Sequence, residues 1–145
     1  MTLSGMDSNV LCNCLDPAYP EHERLKGILL DLGPGNRVAV NPTVVHESYH
    51  ALVFGQKLVR SEARRRLLLV LRHPYVEFVN QTRRVSEAAL KIAVDYGIGG
   101  RDALILASFL LNKIPVLLTR DRDLLSLTEV KWHDWKIAIV DPLAE

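Results

Sequence analysis

Cysteine is scarce in this chain of 145 residues: Cys12 and Cys14 are the only two, and they stand one residue apart. Side chains so close along the backbone rarely meet disulfide geometry, and no other thiol is present to pair with either. A disulfide scaffold is therefore excluded. A Cys-x-Cys metal site is equally poor, because the second pair that would complete a tetrahedron is missing. The two read best as small buried apolar residues. Long apolar runs are also absent. No stretch reaches the roughly 20 residues that cross a bilayer, and Met1-Thr2-Leu3-Ser4-Gly5 lacks the basic start and apolar core of a signal peptide. The cytoplasm, with no membrane contact, is the expected location. Net charge is nearly absent too, at +1, which argues neither for nor against a polyanionic partner. Lysine is in short supply: 6 Lys stand against 12 Arg, a bias toward the residue better suited to bidentate phosphate contacts. For any single Arg, a solvated helix face remains the better reading. There is no internal repeat, linker or low-complexity stretch.

What is present describes an ordinary globular chain, 48% apolar and 24% charged, long enough to bury one sizeable core. Residues 1–145 read as a single domain. Strand-like and helix-like periods alternate. Thr2–Met6 is a strand, followed by a loop to Pro20. Leu25, Ile28, Leu29 and Leu32 fall at helical spacing and stop at Gly33-Pro34-Gly35. Val38–Val40 is a strand, and a helix starts at Asn41-Pro42 with Asn as cap. Ser61–Leu71 is a helix and Val76–Val79 a strand. Val85, Ala89, Ile92 and Tyr96 mark a helix ended by Gly97. Asp102–Leu111 is a helix so apolar that it must be buried. Val116–Thr119 and Ile137–Val140 are strands, with a short helix at Leu124–Leu127 between them. The alternation predicts an α/β domain with a mostly parallel sheet of about four to five strands, flanked by helices.

Four acids stand where acids make poor structural sense. Asp7, Glu47, Asp102 and Asp121 each follow, head or interrupt an apolar run. Desolvating one carboxylate costs several kcal/mol, and four together would repel one another unless a cation lay between. In a parallel sheet the ligand crevice lies beyond the carboxyl ends of the strands, where this order of elements could bring all four. Each aspartate also has a plain structural reading as a helix cap or turn residue. Glu47 does not. It shares a helical stripe with Val44, Ala51 and Phe54 that faces inward, and no Lys or Arg at helical spacing is there to pair with it. A rival motif overlaps this helix: His46-Glu47-Ser48-Tyr49-His50 matches the H-E-x-x-H zinc-protease pattern. A third ligand would be required, and neither His73 nor His133 lies in a recognisable downstream motif. The pattern is short and coincidence is the better account of it.

At this point the residues resemble a known family, the PIN-domain nucleases, and within it the small VapC-type ribonuclease toxins. Met6-Asp7-Ser8-Asn9-Val10-Leu11 resembles the opening motif. Pro42-Thr43-Val44-Val45-His46-Glu47 resembles the second, Asp102-Ala103-Leu104-Ile105-Leu106-Ala107 the third, and Leu118-Thr119-Arg120-Asp121-Arg122-Asp123-Leu124 the fourth. Leu124 stands where many members carry Phe. The likeness spans essentially the whole chain and implies a three-layer PIN-like fold. It also implies a catalytic, metal-binding set of Asp7, Glu47, Asp102 and Asp121, with Asp123 a further candidate ligand and Asn9 and Thr119 orienting the carboxylates. A carboxylate-only cluster selects a hard cation, Mg²⁺ or Mn²⁺. The implied activity is endonucleolytic hydrolysis of RNA, with Arg101, Arg120 and Arg122 holding the substrate beside the acids. The implied partners are RNA, a cognate antitoxin protein, and a second copy in a homodimer or higher homo-oligomer, for which Trp132 and Trp135 are candidate contacts. Two alternatives keep the fold and change the role: a PIN-type nuclease of RNA processing or repair, and a non-catalytic binding module.

Overall fold

The expected amino-terminal strand forms as β1, Thr2–Met6, and it becomes the third strand of a six-stranded sheet. The computed structural model describes residues 1–144. The other strands are β2 (Asn36–Val40), β3 (Val76–Phe78), β4 (Val116–Leu118), β5 (Glu129–Trp132) and β6 (Trp135–Val140). Their spatial order is β3-β2-β1-β4-β6-β5, parallel throughout except for the β5–β6 hairpin. Five of the six strands match the sequence expectation, and β5 is the addition. The residues at its turn, His133-Asp134, give no Asn-Gly or Asp-Gly signal, and His133 takes the left-handed conformation itself, with φ 54°.

Eight helices connect the strands: α1 (Ser8–Leu15), α2 (His22–Leu25), α3 (Gly27–Leu30), α4 (Pro42–His50), α5 (Arg60–Leu71), α6 (Arg83–Tyr96), α7 (Gly100–Leu111) and α8 (Arg122–Leu125). The first of them replaces the expected loop to Pro20. Its polar positions, Ser8, Asn9 and Asn13, read as turn residues, yet Val10, Leu11, Cys12 and Cys14 are all buried. The single helix expected around Leu25–Leu32 is instead two short turns, α2 and α3. Asn41 caps α4 as expected, accepting a hydrogen bond from the Val44 amide, and Gly97 ends α6 with φ 66°. After α4 the helix widens into a π-turn, Ala51–Gly55, which breaks the 3.6-residue phase. Phe54 therefore faces solvent, 50% exposed, rather than joining the buried stripe of Val44.

From β1 the chain steps outward to β2 and β3, then crosses back to β4 on the other side of β1. By the right-handed crossover rule, the connections on either side of that reversal place α1–α5 and α6–α7 on opposite faces of the sheet, giving three layers. The apolar α7 is buried from Ile105 to Leu110, as its composition requires, and its Phe109 ring lies hard against Gly5 of β1. Both cysteines are free and buried. Trp135 is covered within the chain by the Lys113 ammonium, 5.6 Å from the ring centre, and by the Arg84 guanidinium at 5.9 Å. Among the described residues no helix is long and apolar enough to cross a membrane.

Candidate active site

The strand order reverses between β1 and β4, which pair in register with Met6 opposite Leu118. The crevice of a doubly wound sheet opens at such a switch point, beyond the carboxyl ends of the two strands. Asp7 is the first residue past β1, and its amide donates to the Leu118 carbonyl at 2.9 Å. The residue is 5% exposed, and its carboxylate accepts from the Ser8 amide on Oδ1 at 2.8 Å and from the Thr119 hydroxyl on Oδ2 at 2.7 Å. That hydroxyl also accepts from the Asp121 amide at 3.1 Å and from Asn9 Nδ2 at 3.4 Å. Asn9 Oδ1 in turn takes the Arg120 amide at 3.2 Å. Thr119 and Asn9 thus tie the ends of β1 and β4 together and fix Asp7 against the turn that carries Asp121.

Asp121 keeps its structural role as well. Its Oδ1 caps α8, accepting from the amides of Asp123 at 2.8 Å and Leu124 at 3.3 Å. Asp102 has no such role. Gly99 is the N-cap of α7, and Asp102 lies in the helix's first turn, its carboxylate influenced by burial and by other charges rather than by a hydrogen bond. It shares a cleft of about 290 Å³ with the exposed Asp123, between the Tyr96–Gly99 turn and α8. Glu47, on the second turn of α4, is only partly buried, its side chain 21% exposed, and its Oε2 meets Arg101 Nε at 3.0 Å. Sequence spacing missed that partner because it comes from the start of α7, not from α4 itself. Arg120 pairs with Asp141 at 3.4 Å, whereas Arg122 has no acidic partner within 4 Å among the described residues.

The acids sense one another. Burial pushes the Asp7 carboxyl above its ordinary pKa of 3.8, hydrogen bonds from Thr119 and Ser8 oppose the shift, and the charges of Glu47 and Asp121 add to it. Asp102 is raised as well, by desolvation first, then by Asp7 and Asp121, with Arg101 pulling the other way and Asp123 adding to the rise. The four sequence-derived acids are therefore brought to one crevice. Among the described residues, no three His, Cys, Asp or Glu side chains stand close enough to hold a metal ion as they are. The donor chemistry nevertheless fits a hard divalent cation: oxygen donors only, two of them with raised pKa values, with the Arg101 guanidinium paired to Glu47. His46 and His50 are both exposed on α4, and His50 lies against the Phe54 ring, so they are not arranged as zinc ligands.

Fold and crevice together define a three-layer α/β domain with an acidic switch point. The chain belongs to the PIN-domain family, whose sequence profile matches residues 6–130. Its structure is similar to VapC20 of Mycobacterium tuberculosis, described as a toxin that cleaves the sarcin-ricin loop (TM-score 0.72, 15% identity, 89% of this chain and 98% of that one). It is also similar to VapBC2 of Rickettsia felis, solved bound to a DNA fragment of its promoter (TM-score 0.67, 12% identity, 97% and 98% covered). A toxin–antitoxin complex from Klebsiella pneumoniae matches over 100% of both chains at 19% identity and TM-score 0.66. At these identities the likeness is one of fold. No curated protein matches the sequence.

Proposed function

We propose that this chain is a metal-dependent endoribonuclease, acting at the acidic crevice, and the toxin of a toxin–antitoxin pair. The hydrogen-bonded line from the Asp7 carboxylate through the Thr119 hydroxyl to the Asp121 amide carries the reading, because it holds a buried carboxylate beside a second acid although their like charges repel. Membership of the PIN-domain family and the toxin neighbours support it. Asp7, Asp102, Asp121 and Glu47 would hold Mg²⁺ or Mn²⁺, with Asp123 a further ligand. Bound there, such an ion supplies charge neutralisation at the scissile phosphate and an acidified water.

The chain's own residues do the positioning. Thr119 and Ser8 occupy one lone pair on each Asp7 oxygen, so the carboxylate cannot rotate away from the crevice. The α8 cap fixes Asp121 Oδ1 and leaves Oδ2 free of hydrogen bonds among the described residues. Arg101, Arg120 and Arg122 offset the field of the acids and draw in the polyanion. Water rather than the ribose 2′-hydroxyl is the nucleophile, which leaves a 3′-hydroxyl and a 5′-phosphate. The partners of this reading are RNA, a cognate antitoxin and a second copy of the chain in the cytoplasm.

Cleavage of an end-labelled single-stranded RNA by purified protein with Mg²⁺ or Mn²⁺ tests it. Cutting is expected, with loss in chelator and in Asp121→Asn, a variant that keeps a good helix cap. Cutting that survives both controls, or products ending in 2′,3′-cyclic phosphate, would overturn the mechanism.

A further inference from the structure

Outside the acid crevice, one groove between α4 and α5 is strongly one-sided in charge. Its apolar floor comes from Tyr49, Leu67 and Leu68, and its rim from His46, Arg60 and Arg64, around a volume of about 390 Å³. No carboxylate lines it. The pairing pattern along α5 sharpens the contrast. Arg65 and Arg66 are each taken up by Glu62, at 2.6 Å and 2.9 Å, while Arg60 and Arg64 have no acidic partner within 4 Å among the described residues.

The groove continues into an exposed aromatic column. The His50 and Phe54 rings lie 4.8 Å apart, and the Arg60 guanidinium sits 5.6 Å from the Phe54 ring centre. Phe54 is half exposed because the π-turn carries it out of the helical phase, so its ring is available from solvent. Guanidiniums without acidic partners beside a half-exposed aromatic pair, its rings tilted by 36°, are of the kind with which proteins bind single-stranded nucleic acid without reading its sequence. The column also follows Glu47 along the same helical segment. His46 adjoins Glu47, and from Glu47 to Phe54 the helix advances about 10 Å, the span of about three stacked nucleotides.

We propose that the α4–α5 groove and the His50–Phe54–Arg60 column form a binding platform for single-stranded RNA, in which a base stacks on Phe54 and Arg60 and Arg64 hold phosphates of the strand entering the crevice. The platform rests on the ribonuclease reading above and adds a site remote from the carboxylates. A second copy of this chain is the rival occupant.

The test uses the full chain carrying Asp121→Asn in chelator, so that RNA is bound and not cut. Fluorescence anisotropy would measure its affinity for a labelled 12-nucleotide single strand and for the same strand annealed to its complement. Phe54→Leu, which keeps an apolar side chain and loses the ring, is expected to weaken single-strand binding about fivefold and leave duplex binding unchanged. The pair Arg60→Gln with Arg64→Gln is expected to lower the slope of log affinity against log salt by about 1.4, two phosphate contacts at roughly 0.7 each. Equal affinities and slopes in parent and variants overturn the platform. So does an equal loss on single strand and duplex in Phe54→Leu, or a change in sedimentation of either variant with RNA affinity unmoved, which assigns the patch to a second copy. If the Asp121→Asn parent does not bind RNA and the unsubstituted protein with Mn²⁺ does not cut it, the ribonuclease reading and the platform fall together. If the unsubstituted protein cuts RNA while the Asp121→Asn parent and its variants bind equally, the platform alone is overturned.

Discussion

Thr119 is the residue on which most of the candidate site converges, since one buried hydroxyl serves Asp7, Asp121 and Asn9. Thr119→Val keeps its shape and removes every one of those bonds. Leaving a buried carboxylate oxygen without its donor costs about 1–3 kcal/mol, which urea denaturation would read directly. Cleavage is expected to fall roughly 10- to 100-fold, as for groups that orient metal-binding carboxylates. A variant that loses stability but cuts RNA at the parent rate would show that Thr119 only braces the two strands. Asp102 makes a prediction of the opposite sign. Its pKa is raised in the folded protein, by desolvation and then by Asp7 and Asp121, so the fold binds a proton that the unfolded chain has already released. Stability therefore falls as pH rises from the ordinary value of 3.8 through the raised one, and the deficit persists at neutral pH. In chelator at pH 7, Asp102→Asn is expected to melt above the parent. The gap should close as the pH is lowered toward 3.8. A variant that melts below the parent at pH 7 would mean that Asp102 is held by a favourable contact.

At the scale of elements, residues that announce a helix or strand by local chemistry were legible and those set by tertiary context were not. Asn41-Pro42 reads as a helix start and Gly97 as a stop because capping depends on nearest neighbours. The helix α1 hid behind Ser8, Asn9 and Asn13, whose turn preference is overridden by burial of Val10, Leu11 and both cysteines. Asp7 and Asp121 are legible because each follows a strand, and Asn9 and Thr119 only through the family resemblance, while the Glu47–Arg101 pair joins residues far apart in sequence and left no periodic trace. The Phe54 side chain departs from the expected inward stripe for a related reason. An inward stripe presumes an unbroken 3.6-residue period, and the π-turn interrupts it. Between elements, α7 approaches β1 tightly at Gly5. A Cβ added at Gly5 would lie 2.7 Å from the Phe109 ring, and Phe109 is fully buried. Gly5→Ala must therefore push α7 off the strand, at a cost of about 1–3 kcal/mol. Since Asp102 stands at the head of α7, activity should fall with it. Phe109→Leu in the same chain makes room and is expected to recover part of both losses. Strictly additive effects of the two substitutions would disprove the clash.

Across the whole molecule the net charge is +1, so any steering of RNA toward an acidic crevice depends on where the cations are, not on how many there are. By sequence Arg101, Arg120 and Arg122 are an equivalent trio, each beside one of the acids. Their surroundings separate them. Arg122 is free of acidic partners among the described residues, Arg120 is shared with Asp141, and Arg101 is engaged with Glu47, one of the acids itself. Arg122→Gln is accordingly expected to lower the salt slope of RNA binding by about 0.7, one full phosphate contact, and to leave Mn²⁺ affinity alone. Arg101→Gln should do less to the salt slope, because that guanidinium is already partly neutralised. It removes a positive charge 3.0 Å from Glu47, so the crevice becomes more negative and Mn²⁺ should bind roughly threefold tighter or more, by titration calorimetry without RNA. The two substitutions thus separate substrate steering from ion capture, although each removes one arginine beside the same crevice. If Arg101→Gln leaves Mn²⁺ affinity unchanged while Glu47→Gln weakens it, the ion is held without influence from the guanidinium, and the Glu47–Arg101 contact serves only to dock α4 against α7.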